Sequence, residues 1–244
     1  MIKIENIEVT GWEAAIRGMR NPMNSWDKSD SEFKYWCSCL GVGEEPHYCN
    51  ECGYDICNPY ASEPVFVVGA NDLDLMKRLA KGGSVHAKYR RMIIVTCDIT
   101  APLYWWKEFD TYKVGTVANS CSTMHKIHDK EFTVDDFSHE HLDECSMEML
   151  EIIVHNLNVS RNRFNGDVAL CDGTTKKHHW WQMIQLLPSS YNQRRTVQFS
   201  YENGYSMHGD RRHHKLDEWH GFCDMLEGLP YAEGIIFNVE RTKE

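Results

Sequence analysis

The chain has 244 residues, with 36 acidic against 26 basic side chains and a formal net charge of -10. That balance argues against a protein that wraps duplex nucleic acid through a general basic surface. The hydrophobic fraction of 42% is that of an ordinary soluble globular chain, and no apolar run approaches the ~20 residues a membrane helix needs. The expectation is a cytoplasmic protein.

Residues 1–10 alternate apolar and polar side chains like a strand. Residues 11–20 place Trp12, Ala15, Ile16 and Met19 at helical spacing, and Asn21-Pro22 stops that helix. A polar loop follows. Residues 37–61 then hold turn residues and five of the chain's ten cysteines, with no apolar period. Cys37-x-Cys39 and Cys49-x-x-Cys52 supply four sulfur ligands at a spacing that suits structural zinc, with His47 and Cys57 as spare candidates. A loop of reduced thiols is the equal alternative, and a disulfide pair is the third. The scattered cysteines read as small buried hydrophobes.

VFVVG, ending at Gly69, reads as a short strand. Asn71 reads as an N-cap, with Asp74 near the capping-box position, of a helix that buries Leu73, Met76, Leu79 and Ala80 and ends at Gly82-Gly83. His86 to Arg91 reads as a helical turn and residues 92–96 as a buried strand. Thr100 is the expected cap of the next helix, in which Leu103, Trp106, Phe109 and Asp110 share a face. Gly115 opens a hydroxyl-rich stretch, residues 115–125. By composition this stretch is a turn-satisfying surface loop or a binding loop.

A long helix is expected from near Ser138, buried along Leu142, Cys145, Met149, Ile153 and Leu157. Another runs from about Thr175 to Leu187, its paired Trp180 and Trp181 serving as core and rim. A strand over Gln193–Tyr201 and a last amphipathic helix carrying Leu216, Trp219, Cys223 and Leu226 complete the chain. With no internal repeat and no linker, residues 1–244 read as a single α+β domain with a cysteine-rich insert at 37–61.

Residues 101–125 resemble the signature region of the flavin-dependent thymidylate synthases. In that family a helix runs into an Arg-His-Arg triplet, then a Ser, an Asn, a second Ser and Arg-Tyr. Here Thr111-Tyr112-Lys113 stand at the triplet, Thr116 at the first Ser, Asn119 at the Asn, Ser122 at the second Ser and Met124-His125 at Arg-Tyr. Residues 67–95 and 187–219 are similar to the passages before and after the signature. Two family arginines are replaced, by Thr111 and Met124, and neither offers the planar guanidinium fork that grips phosphate.

The resemblance implies a mixed sheet with long helices. It also implies FAD as cofactor, methylenetetrahydrofolate and NADPH as co-substrates, and C5 methylation of dUMP or a related pyrimidine nucleotide by a homotetramer. It assigns Ser25, His86, Tyr112, Lys113, Thr116 and Asn119 to the cofactor. It assigns Glu108, Ser120, Cys121, Ser122, Arg211 and Arg212 to the substrate, with phosphate contacts falling to the C-terminal arginines, Arg194 and Arg195 included. Cys121 reads as a packed small residue, not a nucleophile. The competing reading keeps the fold without the chemistry: a nucleotide- or protein-binding module with a zinc-stapled insert.

Overall fold

A computed structural model describes residues 2–34, 36–37, 41–42, 65–170 and 173–239. In chain order the elements begin with strand β1 (Lys3–Thr10), helix α1 (Trp12–Arg20), β2 (Glu32–Lys34), β3 (Trp36–Cys37), β4 (Gly41–Val42), β5 (Val65–Val67) and α2 (Ala70–Lys81). They continue with β6 (Ile94–Pro102), α3 (Leu103–Phe109), β7 (Val117–Ser120), α4 (Glu144–Asn165), α5 (Lys176–Leu186), β8 (Asn192–Ser200), α6 (Tyr201–Arg211) and α7 (Asp217–Glu227). This is an α+β chain. Among the described residues no helix is long and apolar enough to cross a membrane.

The chain divides into two compact units. The first comprises residues 1–8, 95–199 and 206–228, and the second residues 9–94, 200–205 and 229–244. The first unit is built on a four-stranded sheet of order β1-β6-β8-β7, with β7 antiparallel to β8 at one edge. The Asp98 carboxylate on β6 ties three strands together, accepting from Thr196 and Arg194 of β8 and from Asn6 of β1. Those donors hold its pKa well below the usual carboxylate range. Strand β6 alternates half-buried and buried residues through Ala101, so Thr100 lies inside the strand. Pro102 closes the strand and starts α3; Thr100 is not the cap of that helix.

Helix α3 packs an aromatic core against α7. Trp105 lies 4.8 Å from Trp219, 5.2 Å from Phe109 and 5.7 Å from Phe222, centroid to centroid. All four rings are buried, as are Leu226 and Cys223 on the same face of α7. Pairs at these separations add about 0.5–1.5 kcal/mol each beyond their burial.

Helix α4 begins at Glu144, not near Ser138. The Ser138 N–H is spent on the Ser190 carbonyl, its hydroxyl on Asn192, and the neighbouring Phe137 bridges to Tyr191. Asp143 caps α4 by accepting from the Ser146 N–H. The buried stripe is also rotated from the expected one: Leu150, Val154 and Leu157 face inward, while Leu142, Cys145 and Met149 are exposed. The inward stripe meets Met183 of α5 together with Ile127, Phe132 and Phe137, and Trp180 packs at the margin. Trp181 is exposed, so the pair is margin and surface and not the expected core and rim. Thr175 caps α5, its hydroxyl accepting from the His178 N–H. Thr175→Ala should lower stability by about 1 kcal/mol, read as a shift of the urea midpoint at unchanged slope.

In the second unit β2 pairs antiparallel with β5, and β3 with β4. Helix α1 buries Trp12, Ala15, Ile16 and Met19 on the predicted face. Trp12 meets Tyr201 and Tyr231 edge-on, each at 5.3 Å. The cap position of helix α2 is Gly69, with Asn71 inside its first turn. A carboxylate remote in sequence does the capping: Asp30 accepts from the N–H groups of Asn71 and Asp72. A Cβ on Gly69 would sit 2.2 Å from that carboxylate, so the approach needs glycine. The buried face of α2 is Asp72, Leu75, Met76 and Ala80, shifted from the expected Leu73-centred face.

Candidate functional site

Glu108 lies at the end of α3, where the aromatic core fixes the helix. Its Oε2 accepts from Arg211 Nη1 at 2.7 Å and from Trp219 Nε1 at 3.2 Å, with His214 Nε2 also at 3.2 Å. Arg211 Nε donates to the Tyr112 hydroxyl at 2.9 Å, and that hydroxyl donates to Asp210 Oδ2 at 3.2 Å. The guanidinium stands 5.0 Å over the Trp219 ring. Burial, with some help from Asp210, raises the Tyr112 hydroxyl above its ordinary pKa despite the opposing Arg211. This is a half-buried cluster in which one cation is gripped by a carboxylate and a phenol. Among the residues expected to bind ligands, Glu108, Tyr112 and Arg211 meet here. His214 and Trp219 were not expected. Trp219 read only as an inward-facing apolar residue, and its indole N–H was the signal that it could also serve a polar partner.

Thr111 spends its hydroxyl on the Glu108 carbonyl at 2.7 Å, finishing the helix end. Thr116 donates to the Tyr112 carbonyl. Lys113 is exposed, with no ion-pair partner among the described residues.

The hydroxyl-rich stretch is only partly a loop. Residues 117–120 form β7, whose register sets Asn119 opposite Thr196 and Ser120 opposite Arg195. All four β7 residues are exposed. Cys121 extends the pairing: its N–H reaches the Arg194 carbonyl at 3.0 Å and its carbonyl accepts from Gln193 Nε2 at 2.7 Å. Its thiol is exposed, which corrects the expectation of a packed small residue; the backbone bonds, not burial, hold it. Ser122 Oγ accepts from the N–H groups of Met124 and His125, a serine turn that closes the segment. Next to this edge, Arg195 stacks 4.2 Å over Trp106 and pairs with Asp110 at 2.8 Å. Arg212 turns away to Asp224 and Glu227.

Ser25 and His86 belong to the second unit. Ser25 is buried; its carbonyl accepts from Arg20 Nη1 at 3.1 Å. It lines a cavity of about 530 Å³ with Arg20, Lys28, Asn71 and Arg78. His86 lines a separate, more apolar cavity of about 420 Å³ with Met19, Met23, Tyr89 and Met92. The zinc candidates Cys39, Cys49 and Cys52, and the side chain of Cys37, lie outside the described residues. Among the described residues no group of three or more His, Cys, Asp or Glu side chains could hold a metal ion.

No protein-family model matches the sequence, and no curated protein matches it. The fold does match solved structures. A crystal structure of thymidylate synthase X (ThyX) from Helicobacter pylori with FAD and dUMP superposes with a TM-score of 0.59 and 13% identity, covering 98% of each chain. A second, of the flavin-dependent thymidylate synthase ThyX from Helicobacter pylori complexed with FAD and dUMP, matches with a TM-score of 0.59 and 12% identity over 98% of this chain and 100% of that one. The chain has a ThyX-like fold over nearly its full length.

Proposed function

We propose that the chain is an FAD-dependent, thymidylate synthase-like enzyme that methylates C5 of dUMP or a related pyrimidine nucleotide, using methylenetetrahydrofolate and NADPH. The observation that carries this reading is the meeting of Glu108, Tyr112 and Arg211 within a ThyX-like fold. The donor set suits an anionic nucleotide and a flavin. Arg211 supplies a planar fork for phosphate, Lys113 an open charge, and Asn119 and Ser120 exposed amide and hydroxyl groups. When bound, the flavin supplies the redox chemistry, which no side chain of this set provides. Thr111 and Met124 contribute no guanidinium, so the phosphate contact rests on Arg211. Before a nucleotide arrives, Glu108 and Tyr112 hold that guanidinium in place.

A second reading, a diverged nucleotide- or protein-binding module, is favoured by one observation: the Thr111 hydroxyl is committed to the Glu108 carbonyl. The two readings part on colour. Under the first, purified protein takes up FAD and absorbs at about 450 nm. Lys113→Ala should then abolish that uptake while leaving the far-ultraviolet circular dichroism unchanged. Uptake by Lys113→Ala equal to the parent would contradict the placing of the flavin at residues 112–119.

A further inference from the structure

Among the described residues, half of the buried side-chain nitrogen and oxygen atoms without a hydrogen-bond partner gather in one place. They are His128 Nδ1, Arg161 Nε, Arg163 Nε and His179 Nδ1, four of eight. All four sit where α4 ends and α5 begins. The His128 ring lies 4.5 Å from that of Phe164 in the last turn of α4, and the His128 carbonyl accepts from Asn165 Nδ2 at 3.2 Å. Gly166 closes α4. Lys176 Nζ, from the first residue of α5, lies 3.8 Å from where a Cβ on that glycine would stand. His179 is 3% exposed, and its Nε2 lies 3.1 Å from Thr174 Oγ1, so the ring reaches back over the start of α5.

The chemistry of this junction points to one kind of ligand. Arg161, Arg163, Lys176 and Lys177 bring four cations to it, in a chain whose net charge is -10. None of the four has a carboxylate partner among the described residues. The described acids nearby are Asp167 and Asp129, and Asp129 is already paired with Lys126 and His128. Cations at a helix C-terminus often serve only its exposed carbonyls. Here both arginine Nε atoms are closed off from water with no carbonyl to receive them, and a buried N–H without an acceptor is destabilising. Burial first, then the charges of His178 and Arg163, lowers the His179 pKa, which places Arg163 near that imidazole. Helix α5 adds its first N–H groups. Thr175 Oγ1 takes the His178 N–H, and those of Lys176 and Lys177 have no intrahelical acceptor. An oxoanion satisfies this set: it only accepts, its charge suits a helix start, and a tetrahedral one receives N–H donors from several directions.

We propose that the junction of α4 and α5 binds a phosphate group, held by Arg163, Lys176, His179 and the first N–H groups of α5. The site shares no residue with the cluster around Glu108, and the inference does not depend on the nucleotide reading.

Titrating inorganic phosphate into the isotope-labelled full chain, at constant ionic strength, should move the Lys176 and Lys177 amide resonances saturably. Arg163→Ala combined with Lys176→Ala should raise the dissociation constant roughly tenfold or more. Lys176→Ala alone changes only an exposed side chain, so it leaves the fold intact and should still weaken binding severalfold. Methyl phosphate tells the two sources of the ligand apart. Saturable shifts with both compounds support a phosphate ester as the ligand, and shifts with inorganic phosphate alone support the free ion. No saturable shift at these amides with either compound, or equal affinity in Lys176→Ala and the parent, overturns the proposal.

Discussion

Replacing Asp72 by alanine should cost about 3–5 kcal/mol, enough to unfold much of the second unit at room temperature. Asp72 is fully buried on α2. Its carboxylate accepts from Arg20 Nε at 2.6 Å, Ser29 Oγ at 2.7 Å and Ser31 Oγ at 2.6 Å, and from the Asp30 N–H at 3.2 Å. Arg20 is buried too, and spends Nη1 on the Ser25 carbonyl and Nη2 on the Lys28 carbonyl. Removing the carboxylate leaves a buried cation without its counter-charge and frees the turn that carries Ser25. Burial is the largest single influence on the Asp72 acidity and raises its pKa. The hydroxyls of Ser31 and Ser29 and the Arg20 guanidinium together outweigh it and hold the pKa below the ordinary value. A depressed carboxylate stabilises the fold fully above its unfolded pKa of about 3.9, and that contribution disappears as pH falls through the lower folded value. Asp72→Asn should therefore flatten the acid limb of the stability curve below about pH 4, measured by denaturant melts across pH. An acid limb identical to the parent's would contradict the role assigned to this carboxylate.

Arg211→Ala should weaken dUMP binding by roughly ten- to a hundredfold, the value of one charge-assisted hydrogen-bonding group, while costing the fold about 1 kcal/mol or less. The two effects separate because the Arg211–Glu108 pair is partly exposed, at 19% and 33% of the side chains. Arg211→Lys should not restore affinity, since an ammonium lacks the planar fork that would span a phosphate and Tyr112 together. Titration calorimetry with dUMP, paired with a melt of each variant, reads both numbers. Arg211→Ala binding dUMP as tightly as the parent would remove the phosphate contact from this cluster.

Where local periodicity governs, the sequence was a sufficient guide. The inward face of α1, the start of α5 near Thr175 and the inward row of α7 all appear where local pattern alone put them. It misled wherever a distant partner overrode a local signal. Asn71 looks like a cap, but Asp30, some forty residues earlier, occupies the end of α2. Thr100 looks like a cap, but the alternation of β6 carries the strand past it. In α4 both candidate stripes are apolar, so spacing could not say which one the first unit buries. The hydroxyl-rich stretch shows the same limit. Its composition says turn, yet part of it pairs with β8, because Val117–Ser120 finds in residues 195–198 a partner no local pattern announces. The meeting of Glu108 with Arg211 spans 103 residues and was legible only through the family resemblance. The same resemblance could not foresee His214 and Trp219 on the same carboxylate.

Release of tritium to water from C5-tritiated dUMP, with FAD, NADPH and methylenetetrahydrofolate present, tests the proposed chemistry most directly. The account predicts release that requires FAD and falls sharply in Arg211→Ala. Folded protein that binds FAD and dUMP and yet releases no tritium would contradict it.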